Sequence, residues 1–121
     1  MKVYLASFFS PDLKRSAERF KRQAEDMNVY NHIDIFSKED LNEDFKEYIS
    51  ALLKKGKTRG YGHWVWQTYI HQLVLSKIKE GDIYHWCDVG CHFNTKGVSR
   101  LKEYIDTVSY THLTLPTILL V

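Results

Sequence analysis

The stretch "DIYHWCDVGCH", Asp82 to His92, decides how this chain is read. Ile83 to Cys87 form a short apolar run rich in aromatic residues, broken off at Asp88 and Gly90. Such a run, closed by turn residues, suits a buried β-strand. A metal site is the competing reading, because Cys87, Cys91, His85 and His92 loosely resemble a Cys2His2 ligand set. The spacing works against it. His85 and Cys87 share one face of the expected strand, Cys91 lies beyond the Gly90 turn, and no second knuckle occurs elsewhere. Free cysteines are commonly buried as small apolar fillers. The stretch is therefore read as a strand, with His92 kept as a polar candidate beside a site.

Asp88 is the residue that matters most in it. An unpartnered polar group in a core costs on the order of 2–7 kcal/mol, so Asp88 needs a metal, a hydrogen-bonding partner or water at the sheet rim. Two readings stand open: a carboxylate that works at the end of a strand, or one that caps the backbone of the following turn.

Outward from this strand the chain alternates. "KVYLASFF" (Lys2 to Phe9) reads as a first strand and "HIDIF" (His32 to Phe36) as a second. Between them Ser10 is placed to cap a helix with Pro11 in its first turn, and Leu13, Ala17, Phe20 and Ala24 recur at helical spacing. "SKEDLNEDFKEYISALLKKG" is an amphipathic helix stopped by Gly56. "HWVWQTYIHQLVLSKIKEG" is a third helix, expected to begin near Trp64 and close at Gly81, and "GVSRLKEYID" is a short last one. Strands separated by helical crossovers predict an α/β fold, a mostly parallel sheet flanked by helices. In such sheets ligands collect at the carboxyl ends of strands, which selects Ser7, Phe8 and Phe9, the residues after Phe36, and Asp88 to His92.

A chain of 121 residues holds at most one ordinary domain. A formal charge of +2 is too small to demand nucleic acid or an anionic membrane as partner. Two cysteines, with no signal peptide and no long apolar run, point to a reducing compartment and to no transmembrane segment. The end of the chain differs from the rest: from Thr107 onward no Lys, Arg, Asp or Glu occurs. Within it "VSYTHLTLPT" resembles translated read-through of a sequencing-library adapter. Residues 1–106 are accordingly expected to be native and 107–121 a non-native tail; a Thr-rich C-terminal strand is the alternative.

Two loops invite a phosphate. "ALLKKGKT" (Ala51 to Thr58) nearly spells a P-loop, but it closes a helix instead of joining a strand to one, so a helix stop with solvated lysines is the better reading. In "KTRGYGHWVWQTYI" (Lys57 to Ile70), Gly60 and Gly62 bracket Tyr61, Arg59 precedes them, and a helix start at Trp64 would offer free N–H groups. Arg59 and this Gly-Tyr-Gly loop are expected to form an anion site, with Trp64 and Trp66 mainly packing.

Together "RGYGHWVWQTYI", "EGDIYHWCDVGC" and "KVYLASF" resemble a family of bacterial nucleotide-sugar-dependent glycosyltransferases, many of which carry R-G-x-G-x-W-x-W-K-P-x-I followed by G-D-x-x-x-x-x-D-x-G-C. The resemblance spans residues 1–106. It implies a partial, GT-A-like (Rossmann-like) fold, an incomplete domain, and transfer of a sugar from a nucleotide-diphosphate donor to a saccharide or lipid-linked acceptor in surface polysaccharide biosynthesis. It further implies donor contacts from Ser7, Phe8, Arg59, Gly60, Tyr61, Gly62, Asp88, Gly90 and His92, and a divalent metal, Mn or Mg, on Asp88. The location implied is cytoplasmic, or peripheral at the inner face of the plasma membrane. The usual D-x-D pair reads Asp88-Val89-Gly90 here, and the pattern's Lys-Pro reads Gln67-Thr68. No general base stands out, so catalysis by this chain alone is not expected. The alternative is a small nucleotide- or nucleic-acid-binding module, in which Lys54, Lys55, Lys57 and Arg59 interleave with Tyr61, Trp64 and Trp66.

Overall fold

The structure, a computed structural model, describes residues 1–111 and 117–120, with side chains through Ser109. It is an α/β fold. β1 (Val3–Phe8), α1 (Lys14–Met27), β2 (His32–Phe36), α2 (Glu43–Lys54), α3 (Gly60–His63), α4 (Gln67–Leu75), β3 (Ile83–Trp86), α5 (Val98–Thr111) and β4 (Thr117–Leu120) follow in chain order. The sheet order is β2-β1-β3-β4 and every pairing is parallel. The expected boundary at Asp106 falls inside α5, which continues to Thr111. Thr117–Leu120 pair with Ile83–Trp86, while the remainder of the tail, 112–116 and 121, lies outside the described residues.

The pleat explains the core. Tyr4 stands opposite Tyr84 and Ala6 opposite Trp86, so even-numbered residues of β1 and β3 share one face. On that face Ala6, Phe8, Tyr84 and Trp86 pack with Ile49 of α2 and with Trp66, Ile70 and Val74 around α4. On the other face Leu5 and Cys87 meet Ala17, Phe20 and Ala24 of α1. All four residues of β3 are buried, as expected for a strand covered on both sides.

Element ends differ from expectation in several places; α2 begins only at Glu43, after a separate 3-10 turn at Lys38–Asp40, and α4 ends at Leu75, well before Gly81. Ser10 does not cap α1: its hydroxyl donates to Asp12 Oδ1 at 2.5 Å, and Pro11–Leu13 form a 3-10 turn before the helix proper. The third helix is shorter than its periodicity suggests. α4 begins at Gln67, because Trp64 has left-handed backbone angles (φ 57°, ψ 23°) that a right-handed helix cannot include. The near-P-loop segment does close α2, with the Lys55 N–H turned back on the carbonyls of Ala51, Leu52 and Leu53, and Gly56 at φ +82°.

Candidate functional site

Pairing of Ala6 with Trp86 sets the carboxyl ends of β1 and β3 side by side, and a cleft of about 350 Å³ opens there. Phe8, Ser10 and Asp12 line it from the end of β1, and Asp88, Val89 and Gly90 from the end of β3. Thr58, Gly60, Tyr61, Trp64 and Trp66 complete the wall. Of the residues selected from sequence, Phe8, Gly60, Tyr61, Asp88 and Gly90 are thus brought together.

Asp88 is exposed, and among the described residues its carboxylate makes no hydrogen bond or ion pair; the turn after it is closed by backbone, Cys91 N–H to Asp88 C=O at 2.9 Å. It does not cap that turn. Asp82, six residues earlier, shows what a structural carboxylate looks like here: it is buried and accepts the N–H groups of Lys2 at 2.9 Å and Lys79 at 3.0 Å. Burial works to raise its pKa, but those bonds, the N-terminal ammonium and Lys2 together hold it below the ordinary carboxyl value. The turn carrying Asp88 is gripped from α1. Arg19 donates to Val89 O at 2.8 Å and to Cys91 O at 2.5 Å, and Gln23 accepts the Phe93 N–H at 3.1 Å.

The opposite wall is unusual backbone. Gly60, Tyr61, Gly62, His63 and Trp64 all have positive φ, between 51° and 85°, and His63 and Trp64 donate to the carbonyls four residues back. α3 is therefore one turn of left-handed helix. The N–H groups of Tyr61, Gly62, His63, Trp64 and Val65 are all donated to carbonyls within residues 57–62. The Trp64 and Val65 N–H groups, expected to be free, are consequently taken. Arg59 is exposed, its guanidinium 5.7 Å from the Trp64 ring centroid, and is not among the residues lining the cleft.

The remaining sequence candidates lie elsewhere. Ser7 is fully buried, with no partner for its hydroxyl among the described residues. Gly62 is buried against Ile49 and Leu52 of α2, behind the cleft wall. His92 is exposed on the α1 side, 3.4 Å from Gln23, and lines a separate hollow with His85, Cys87 and Cys91. In that hollow His85 sits between the Tyr30 hydroxyl at 2.8 Å and Cys87 Sγ at 3.1 Å. Burial pulls the His85 pKa down to about 4 and pushes the Cys87 thiol up to about 12, with lesser contributions to the thiol from Cys91 and Asp88. At neutral pH both are uncharged, a poor arrangement for a nucleophile.

Reading the sequence missed three participants. Trp64, taken as packing, is 45% exposed at the cleft, while Trp66 is buried and stacks on Phe8 at 4.0 Å. Of the two tryptophans, only Trp64 exposes part of its ring at the cleft. Asp12 lies just past a strand end, where the strand-end rule could have found it. Arg19 carries no signal in the sequence that separates it from the other cations of α1.

A divalent metal can be tested against these residues. Among the described residues no three His, Cys, Asp or Glu gather into a protein cage. Asp88 and Asp12 do line one cleft. Mg²⁺ in phosphate sites is usually held by one or two carboxylates plus phosphate oxygens and water, and the carboxylates of this cleft fit that mode. No helix among the described residues is long and apolar enough to cross a membrane. Scans of protein-family models, of curated proteins and of solved structures each return no match.

Proposed function

We propose that this chain carries the donor-binding part of a glycosyltransferase that uses a nucleotide-diphosphate sugar, working at the cytoplasmic side of surface polysaccharide assembly. One observation supports the reading above the others: a cleft at the β1 and β3 carboxyl ends gathers the unpartnered Asp88 carboxylate, the Gly60–Tyr61 backbone and an exposed indole. In the transfer, the bond between the anomeric carbon and the diphosphate oxygen breaks, the acceptor oxygen takes its place on that carbon, and the acceptor proton leaves to a base. Asp88, with Asp12 on the lining of the same cleft, would hold Mn²⁺ or Mg²⁺, which supplies positive charge against the departing diphosphate. This chain's own part is to bind and orient the donor. Trp64 offers a flat apolar ring partly open to solvent, and Arg59, 5.7 Å from that ring's centroid, is the cation available to meet phosphate charge.

The test is calorimetric titration with UDP-, GDP-, ADP- and dTDP-sugars, with and without Mn²⁺. Metal-dependent binding in the wild type, lost in Asp88→Asn with an unchanged melting temperature, is expected because Asp88 is exposed and makes no side-chain bond among the described residues. Absence of binding across the panel, or equal binding by Asp88→Asn, refutes the reading. Oligonucleotide binding that weakens steeply with salt would instead favour a nucleic-acid module.

A further inference from the structure

The left-handed turn of α3 is the most strained backbone among the described residues, since only there do three non-glycine residues hold positive φ together. Tyr61, His63 and Trp64 are not glycine, yet each holds a φ of 51° to 57°. L-residues disfavour this region by roughly 1–2 kcal/mol apiece and seldom occupy it consecutively. The turn ends on Trp64, whose large apolar ring remains 45% exposed. That ring lies flat against Gly60, so close that a Cβ there would fall 2.3 Å from the indole, and the Arg59 guanidinium covers it at 5.7 Å. Strain of this kind persists only where neighbours hold it. Two neighbours do: Trp66 donates its indole N–H to Gly60 O at 3.0 Å, and Gly62 is wedged against Ile49 and Leu52.

We propose that α3 is a spring-loaded closure of the cleft. Its left-handed turn unwinds when a ligand enters and carries Trp64 over that ligand, pivoting about the anchored Gly62. The strain keeps the unwound state close in free energy. The half-exposed indole, poorly used in the resting protein, gains its burial in the closed one. Trp66 is the latch, since release of the Gly60 carbonyl frees the turn. The ligand suited to the closed state presents a flat ring to the indole, such as a pyranose or a nucleobase. This rests on the donor reading only for the ligand's identity.

The experiment is ¹⁹F NMR of protein labelled with 5-fluorotryptophan, whose three resonances are assigned with Trp64→Phe and Trp66→Phe. In the free wild type, relaxation dispersion on the microsecond-to-millisecond scale is expected at Trp64 and Trp66 and not at Trp86. His63 is exposed and outside the cleft, so His63→Gly relieves strain in the resting turn without touching the site. It should lower the population of the unwound state about fivefold or more and raise the melting temperature. Within the panel of UDP-, GDP-, ADP- and dTDP-sugars with Mn²⁺, the one that binds should move the Trp64 resonance to the minor-state position. A Trp64 signal without dispersion in the free wild type, or dispersion unchanged by His63→Gly, overturns the closure. If dispersion responds to His63→Gly and no nucleotide sugar shifts the signal, the closure stands and the donor reading falls.

Discussion

Lowering the pH from 7.5 to 4.5 should cost this protein roughly 2–3 kcal/mol through one side chain, His85. The imidazole is 2% exposed on the α1 face of β3, and burial brings its pKa from 6.5 down to about 4. The unfolded chain therefore takes up a proton near pH 6.5, whereas the folded chain resists until about pH 4. Stability is complete above 6.5 and declines as pH falls through that window, because the unfolded state binds the extra proton. At about 1.4 kcal/mol per pH unit the full interval is worth roughly 3 kcal/mol, most of it gone by pH 4.5. For a domain of this size the midpoint of thermal unfolding should drop by roughly 10 °C. His71 is also depressed by burial and adds to the slope with the same sign, so the variant isolates His85. Urea unfolding at a series of pH values, in wild type and in His85→Leu, reads the difference. The wild-type slope between pH 6.5 and 4 should exceed the variant's by about one proton. Equal slopes, or a His85 ring-proton signal titrating near 6.5, would refute the argument.

Two further outcomes follow from neighbouring features. Gly60→Ala places a methyl group inside the Trp64 indole at φ +63°, so the ring must leave its seat. A loss of about 1–3 kcal/mol in urea unfolding and a shift of the Trp64 resonance are expected. Asp82→Ala orphans the Lys2 and Lys79 N–H groups and should destabilise by about 1–2 kcal/mol at pH 7. Because the folded Asp82 carboxyl titrates below its ordinary 3.8, the gap between wild type and variant should close only as pH falls beneath that value.

The sheet was legible because apolar runs of strand length are separated by helical periodicity, and parallel pairing follows from the crossovers. Asp88 was legible for a similar reason: a carboxylate at the end of a buried run has few places to go. The α3 turn was not. Periodicity carried the third helix back through Trp66 to Trp64, since nothing in "GYGHW" except its two glycines announces a reversed hand, and His63, Trp64 and Tyr61 are residues that ordinarily avoid it. For the same reason the N–H groups at Trp64 are expected to be free for an anion, whereas the turn bonds Trp64 N–H to the Gly60 carbonyl and Val65 N–H to that of Gly62. Arg19 escaped notice because its partners, the carbonyls of Val89 and Cys91, lie about 70 residues away and carry no side-chain signature.

The pairing of β1 with β3 also sets a clock on synthesis. Val3 finds Ile83, and Lys2 finds the Asp82 carboxylate, across 80 residues of chain. While the chain is still on the ribosome, β1 can pair with β2, but its second edge stays open until β3 has emerged. At typical elongation rates the roughly 50 residues between β2 and β3 take on the order of 3–10 s. Throughout that interval Leu5, Ala6 and Phe8 sit on a strand with one open edge beside a half-built core. The cleft, having one wall on each strand, exists only after the last of them arrives.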